Sequence, residues 1–171
     1  MRKWMLGNGN IWKKLLLRGE WNGRTSEAVE CSQCPYVVIG GQAMLQEGMP
    51  RFTLDWDIFI PPFDQENFAK INAALADDLD MELEPLDIQA GEGFVQTFQT
   101  SAGIIQFHLS PPGLPKFSTV EERTIIHDFH GVPVKYLCLD DLLRSKQAVA
   151  RDKDSDDILF LTIKKQNQQN G

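Results

Sequence analysis

Short apolar and alternating segments, separated by glycine and proline, occupy the chain from residue 35 onward. A β-branched run predicts a buried strand at residues 36–39, and alternation predicts a second strand at residues 54–60. Two hairpins are predicted farther along, residues 94–99 with 103–109 and residues 125–129 with 132–137. The pattern therefore predicts six strands, most of them joined by tight turns.

Helical spacing fills the intervals between these strands. A short helix is predicted at residues 42–46, closed by Gly48, and a longer one begins at Asp64. Five apolar side chains of the longer helix have core-facing spacing: Phe68, Ile71, Ala74, Leu75 and Leu79. Two more helices are predicted, at about residues 140–150 and from about Ser155 onward. Helices mixed with hairpin-linked strands predict an α/β (α+β) fold, a mixed sheet backed by helices.

The length and the polarity of the segments suggest three parts. A chain of 171 residues has the size of one domain, and residues 35–163 carry the pattern just described. Residues 1–34 are expected to form short helices that pack on this domain, with Trp4, Trp12 and Trp21 burying against it or against a second copy. The polar residues 164–171 are expected to form a flexible tail.

Charge and hydropathy exclude several classes of protein. The net charge is −7, so we expect no strong general binding to nucleic acid, which needs a basic face. No apolar run approaches the roughly 20 residues that span a bilayer, and no signal-peptide core is present, so we expect a cytoplasmic protein without membrane contact. Cys31 and Cys34 have the CxxC spacing but lack a second pair, which favours incidental reduced thiols over a redox or zinc role.

Two aspartates provide the first candidate chemistry. Asp55 and Asp57 are two apart on a predicted strand, so both carboxylates lie on one face, and Leu54, Trp56 and Ile58 occupy the other. Paired carboxylates repel each other unless a cation lies between them, and Mg²⁺ or Mn²⁺ favours such oxygen ligands. An isolated pair of this kind is more often simply two solvated aspartates.

The segment upstream of the two aspartates favours a binding site over two solvated side chains. Gly40 and Gly41 lie between a predicted strand and a predicted helix, where glycine lets a phosphate approach the backbone. A paired-carboxylate strand follows about fourteen residues later. One element can then hold a polyphosphate while the other holds its metal.

Two sequence blocks resemble a known family. The first reads GGxA…GxxRxTxDxD and runs from Gly40 to Asp57; the second reads DLLxxKxxxxRxKDxxD and runs from Asp141 to Asp157. Together they are similar to the minimal nucleotidyltransferases of the DNA polymerase beta superfamily, in particular the branch that contains abortive-infection toxins of toxin–antitoxin systems. The blocks lie within residues 36–162, and their order matches that of the branch.

The resemblance implies a metal-dependent transfer of a nucleoside monophosphate from an NTP to an acceptor hydroxyl, within a nucleotidyltransferase-like fold. It assigns Asp55 and Asp57 as metal ligands for Mg²⁺ or Mn²⁺. The phosphate-binding residues it implies are Gly40, Gly41, Arg51, Thr53 and Lys146. Arg51 has a structural salt bridge as its alternative, and Arg151, Lys153 and Asp154 are expected to be structural. The acceptor remains open among a protein hydroxyl, an RNA end and a small molecule, and an antitoxin-type protein is an implied partner.

One position departs from the family pattern. A third carboxylate of the family lies on a later strand, and the corresponding position here is His108. A neutral imidazole can accept a proton or bind a metal, so His108 joins the two aspartates as a candidate catalytic residue. Its presence also removes a negative charge from a two-metal site. The alternative function is therefore a catalytically impaired nucleotide-binding or interaction module on the same fold.

Overall fold

The computed structural model describes residues 34–76, 79, 81–86, 91–100, 103–129 and 132–170. The helices expected within residues 1–34 lie outside these ranges, as do Cys31 and the three N-terminal tryptophans. Within the described ranges, no helix combines the length and the apolar character that crossing a bilayer requires.

Six strands form one mixed sheet. They are β1 (Val37–Ile39), β2 (Asp55–Phe59), β3 (Val95–Thr100), β4 (Gly103–His108), β5 (Ile125–Phe129) and β6 (Val132–Tyr136). Their order across the sheet is β3-β4-β2-β1-β6-β5. The pairs β2–β4 and β1–β6 are parallel, whereas β1–β2, β3–β4 and β5–β6 are antiparallel. The predicted mixed sheet is confirmed, and β2 lies near its centre.

Five α-helices accompany the sheet in the described residues. They are α1 (Gly40–Gln46), α2 (Gln65–Leu75), α3 (Phe117–Glu121), α4 (Leu139–Val149) and α5 (Ser155–Gln169), and a one-turn 3₁₀ helix (Asp152–Asp154) joins α4 to α5. The Asp64 side chain caps α2 by accepting a hydrogen bond from the Asn67 backbone N–H, as the sequence predicts. The last helix includes residues 164–169, which the sequence assigned to a tail.

The core contains the inward faces of the strands and helices. Ile58, Ile105 and Phe107 are buried on neighbouring strands, and Phe68, Ile71 and Leu75 of α2 belong to the same cluster. Leu54 differs from the prediction because β2 begins one residue later, which leaves its side chain 62% exposed. Trp56 and Ile58 of β2 are buried, and its two aspartates are only partly buried.

Candidate functional site

The sheet register places the polar side chains of three strands on one face. Asp57 pairs with Gln106 on β4, and Gln106 in turn pairs with Thr97 on β3. Residues paired across strands project to the same side, so Asp55 and Asp57 share a face with these two side chains. That face is open over β3, because Thr97 and Gln99 are exposed. The acids therefore border a solvent-accessible polar surface.

Gly40 and Asp57 lie in direct contact. Gly40 has φ +61°, in the left-handed region that favours glycine, and a methyl group at this position would lie only 2.7 Å from Asp57 Cγ. β1 and β2 create this contact by pairing Ile39 with Asp57, which places the residue after Ile39 beside the carboxylate. The predicted convergence of the glycine turn and the acidic strand is thus present for Asp57.

Gly41 also has a close neighbour on the approach to β2. A Cβ atom at Gly41 would lie 2.5 Å from Thr53 Oγ1. Gln42, one residue farther along α1, donates through Nε2 to the Asp55 carbonyl oxygen at 3.5 Å. The first turn of α1 and residues 53–55 are therefore packed as one unit.

His108 occupies the third position of the site. Its Nε2 atom lies 2.9 Å from Asp57 Oδ1, and each of the two side chains is 19% exposed. Since an ionised carboxylate only accepts hydrogen bonds, Nε2 carries the proton in this contact. The imidazole thereby fixes one oxygen of Asp57, while the other oxygen lies against Gly40.

The two aspartates can supply some, but not all, of the ligands that a hard divalent cation needs. Asp55 and Asp57 present carboxylates on one face, and Mg²⁺ commonly binds one or two protein carboxylates and completes its shell with water and substrate phosphate. In the part of the chain that the structure describes, no group of three or more His, Cys, Asp or Glu side chains is arranged to hold a metal. The two aspartates therefore fit an ion shared with a substrate and do not form a closed metal cage.

Two predicted phosphate-binding residues lie in a separate ion network. Arg51 donates through Nη1 to Asp157 Oδ2, so the structural salt bridge foreseen for Arg51 is present. Lys146 Nζ lies 2.9 Å from Asp154 Oδ1 and 2.7 Å from Asp157 Oδ2. Arg151 Nε donates to Asp154 Oδ2 at 2.7 Å. This network, Arg51, Lys146, Arg151, Asp154 and Asp157, connects α4 and α5 to the approach to β2.

Three of the five side chains in the network are buried. The side chains of Asp154, Asp157 and Lys146 are 2%, 4% and 9% exposed. Burial acts to raise the pKa of Asp154, but the hydrogen bonds from Arg151 and Lys146 outweigh it, and the pKa lies below its ordinary value. The contacts bring Arg51 and Lys146 to these carboxylates and not to Gly40 or Asp57.

The sequence did not single out Lys164 or Gln42. Lys164 Nζ donates to the backbone carbonyl and the carboxylate of Glu47, at 2.6 and 2.8 Å. A lysine at the start of a polar segment carries no signal of such a contact. Gln42 lies inside the first sequence block, so its place next to the two glycines was the available signal.

The two described cysteines, Cys34 and Cys138, are free thiols packed within the fold. Cys34 is buried, and Cys138 Sγ lies 3.6 Å from Asp141 Oδ2. Burial raises the pKa of the Cys138 thiol, which keeps it protonated at neutral pH.

The contact between Gly40 and Asp57 predicts the effect of adding one methyl group. We expect Gly40→Ala to lower the free energy of unfolding by about 1–3 kcal/mol, because alanine is strained at this φ and its Cβ displaces the Asp57 carboxylate. Gly91→Ala is the matched control, since Gly91 has no neighbouring atom within 4 Å. Urea unfolding measures both variants, and equal stability of the two would contradict the close contact.

The lowered pKa of Asp154 predicts a pH dependence. Its folded pKa lies below the ordinary value of 3.8, so its contribution to stability is fully present above that pH and is lost as pH falls through the folded value. We expect the stability difference between wild type and Asp154→Asn to shrink below about pH 4. Urea unfolding from pH 6 to pH 3 tests this. Asp152→Asn, which changes an exposed neighbour in the same 3₁₀ helix, is the control.

Comparison with known proteins is consistent with this fold. No protein-family model matches the chain, and no curated protein does. A crystal structure from Thermotoga maritima, named a "putative nucleotidyltransferase", is similar with a TM-score of 0.59 and 12% sequence identity, over 97% of this chain and 93% of that chain. At this identity the similarity shows the fold alone. The chain therefore has a nucleotidyltransferase-like fold, a mixed sheet backed by helices.

Proposed function

We propose that this protein is a metal-dependent nucleotidyltransferase that transfers a nucleoside monophosphate from an NTP to an acceptor hydroxyl. The observation that carries the proposal is the direct contact between Gly40 and the Asp57 carboxylate. The missing side chain of Gly40 lets the Asp57 carboxylate lie against the backbone at the start of α1, and a cation held by that carboxylate could be shared with a polyphosphate. The nucleotidyltransferase-like fold supports the same general activity.

The proposed reaction replaces a phosphoanhydride bond of the NTP with a phosphoester bond to the acceptor. The acceptor oxygen bonds to the α-phosphorus of the NTP, the bond from that phosphorus to the bridging oxygen of the β-phosphate breaks, and pyrophosphate leaves. Asp55 and Asp57 would hold Mg²⁺ or Mn²⁺, which when bound neutralises charge on the phosphates. Gly40 and Thr53 are partly exposed and would lie next to the phosphates, whereas Gly41 is buried behind them.

His108 has two roles in this scheme. Its Nε2–H orients Asp57 through Oδ1. In the neutral ring the other nitrogen, Nδ1, is unprotonated and is the atom able to accept the proton of the acceptor hydroxyl. His108 thus replaces a family carboxylate with a base that brings no negative charge.

The two cationic residues differ in their availability to phosphate. Arg51 uses Nη1 for Asp157, and the rest of its guanidinium is a further donor group for a terminal phosphate. Lys146 would have to exchange a carboxylate partner for a phosphate, because its ammonium contacts both Asp154 and Asp157. We therefore rank Arg51 above Lys146 as a phosphate contact.

The setting of the reaction follows from the sequence blocks. Their resemblance to the abortive-infection branch supports a role in a toxin–antitoxin system in the cytoplasm, with an antitoxin-type protein as partner. The open polar surface over β3 and β4 is where an acceptor would lie next to Asp57. The acceptor remains a protein hydroxyl, an RNA end or a small molecule.

Removal of one carboxylate tests the proposal. We expect Asp57→Asn to reduce transfer of labelled nucleotide by about 100-fold or more, because a direct metal ligand matters at least as much as an outer-shell group. The measurement uses α-labelled NTPs with Mg²⁺ or Mn²⁺ and candidate acceptors, and Asp152→Asn is the surface control. Equal labelling by wild type and Asp57→Asn would exclude Asp57 from the reaction.

A second candidate function is a nucleotide-binding module without turnover. It is favoured by the His108–Asp57 pair at the position where the family has a third carboxylate. It predicts that Mg²⁺ and a non-hydrolysable NTP raise the melting temperature while no transfer occurs. It also predicts that His108→Asp gains transfer and that His108→Asn does not. Turnover by the wild-type protein would exclude this candidate.

A further inference from the structure

Helix α5 contacts both ends of the connector, residues 47–51, that joins α1 to the approach to β2. Lys164 binds the carbonyl and the carboxylate of Glu47 at one end. Asp157 binds Arg51 at the other end. Asp157 and Lys164 are seven residues apart, with the fully buried Leu161 between them, so all three lie on one side of α5. One helical face therefore spans the whole connector.

Asp157, which binds Arg51, is held in place by contacts of its own. Asp157 also accepts from Lys146, and Lys146 contacts Asp154 at the start of α5. Because these three side chains are almost fully buried, the charges have little freedom to exchange their partners for water. The position of Asp157, and through it that of Arg51, is therefore set by the junction between α4 and α5.

The connector leads directly into the candidate site. Thr53, two residues after Arg51, packs against Gly41, and Asp55 and Asp57 follow on β2. At the other end, Glu47 caps the helix that begins at Gly40. Any shift of the connector relative to α5 would change how the glycine turn meets the acidic strand.

We infer that Asp157 and Lys164 are positioning residues. By holding the two ends of the connector, they set the separation between the glycine turn and the acidic strand. Asp157 contacts Arg51, the proposed phosphate contact, and Lys164 contacts Glu47; through these two residues they act on the glycine turn and the acidic strand. The inference also explains why the two sequence blocks occur together, since Asp157 ends the second block and binds Arg51 of the first. Its functional meaning rests on the proposed nucleotide site.

The test compares variants that release the connector with variants that do not. Asp157→Asn weakens the contact with Arg51, and Lys164→Gln weakens the contact with Glu47. Arg151→Gln removes a contact of the same ion network without touching the connector, and Asp156→Asn changes an exposed neighbour of Asp157. Lys164→Gln alters a partly exposed ion pair, so it keeps the test decisive if Asp157→Asn fails to fold.

Two readouts are measured on the full chain, together with the melting temperature. The first is the dissociation constant for Mg²⁺ with a non-hydrolysable NTP. We expect it to rise by about 10-fold in Asp157→Asn and Lys164→Gln and to stay unchanged in the two controls. The second is amide hydrogen exchange in residues 41–57, which we expect to become faster in the same two variants only.

The possible outcomes separate this inference from the proposed function. If Arg151→Gln weakens nucleotide binding as much as Asp157→Asn does, the network acts through overall stability and the inference is overturned. Wild-type affinity and wild-type exchange in both connector variants would overturn it as well. If the wild-type protein binds no nucleotide, the proposed function fails, and faster exchange in residues 41–57 still supports positioning while unchanged exchange refutes it.

Discussion

The space between the Gly40 backbone and the Asp57 carboxylate is the constraint on which the candidate site depends. No side chain fits there, and the backbone of Gly40 has the left-handed conformation that glycine adopts without strain. The antiparallel pairing of β1 with β2 creates this proximity, and the buried strand residues on either side hold it. The register between β1 and β2 thus determines the geometry of the site, because it sets the position of the Asp57 carboxylate relative to Gly40.

Two of the charged clusters in this acidic chain lie in different environments. On β2 and β4 an acidic side chain pairs with an imidazole and remains partly accessible to solvent. At the junction of α4 and α5 two buried carboxylates contact three cationic side chains: Lys146, which is buried, and Arg51 and Arg151, which are partly exposed. The first arrangement is accessible enough for reversible binding of a cation and a substrate. The second suits permanent structure, because separating buried ions is costly.

Much of the architecture followed from local sequence patterns. Alternation and β-branched runs located the strands, and the spacing of Asp55 and Asp57 placed them on one face. His108 was singled out by the family pattern, and the parallel pairing of β4 with β2 is what the structure adds to bring it to Asp57. These predictions succeeded because strand periodicity is a property of a few neighbouring residues. The expected helices of residues 1–34 lie outside the described ranges.

The partners of charged residues did not follow from the sequence. Lys146 belongs to a block that suggested phosphate binding, yet its neighbours are Asp154 and Asp157. A lysine binds phosphate and carboxylate by the same means, so only the packing of α4 on α5 distinguishes the two. The helical residues 164–169 had a similar problem, because their polar composition resembles that of a tail while Lys164 has a partner in Glu47.

The contacts that span the connector join parts of the chain that are far apart in sequence. Arg51 and Asp157 are separated by 106 residues, and Lys164 and Glu47 by 117. Closing loops of this length costs conformational entropy before any contact compensates for it, and proteins rich in such contacts fold slowly. A local opening of α5 would remove both attachments of the connector, at Glu47 and at Arg51, and would leave the strand pairing of the sheet unchanged. The helix farthest from the glycine turn in sequence thereby bears on how that turn meets the acidic strand.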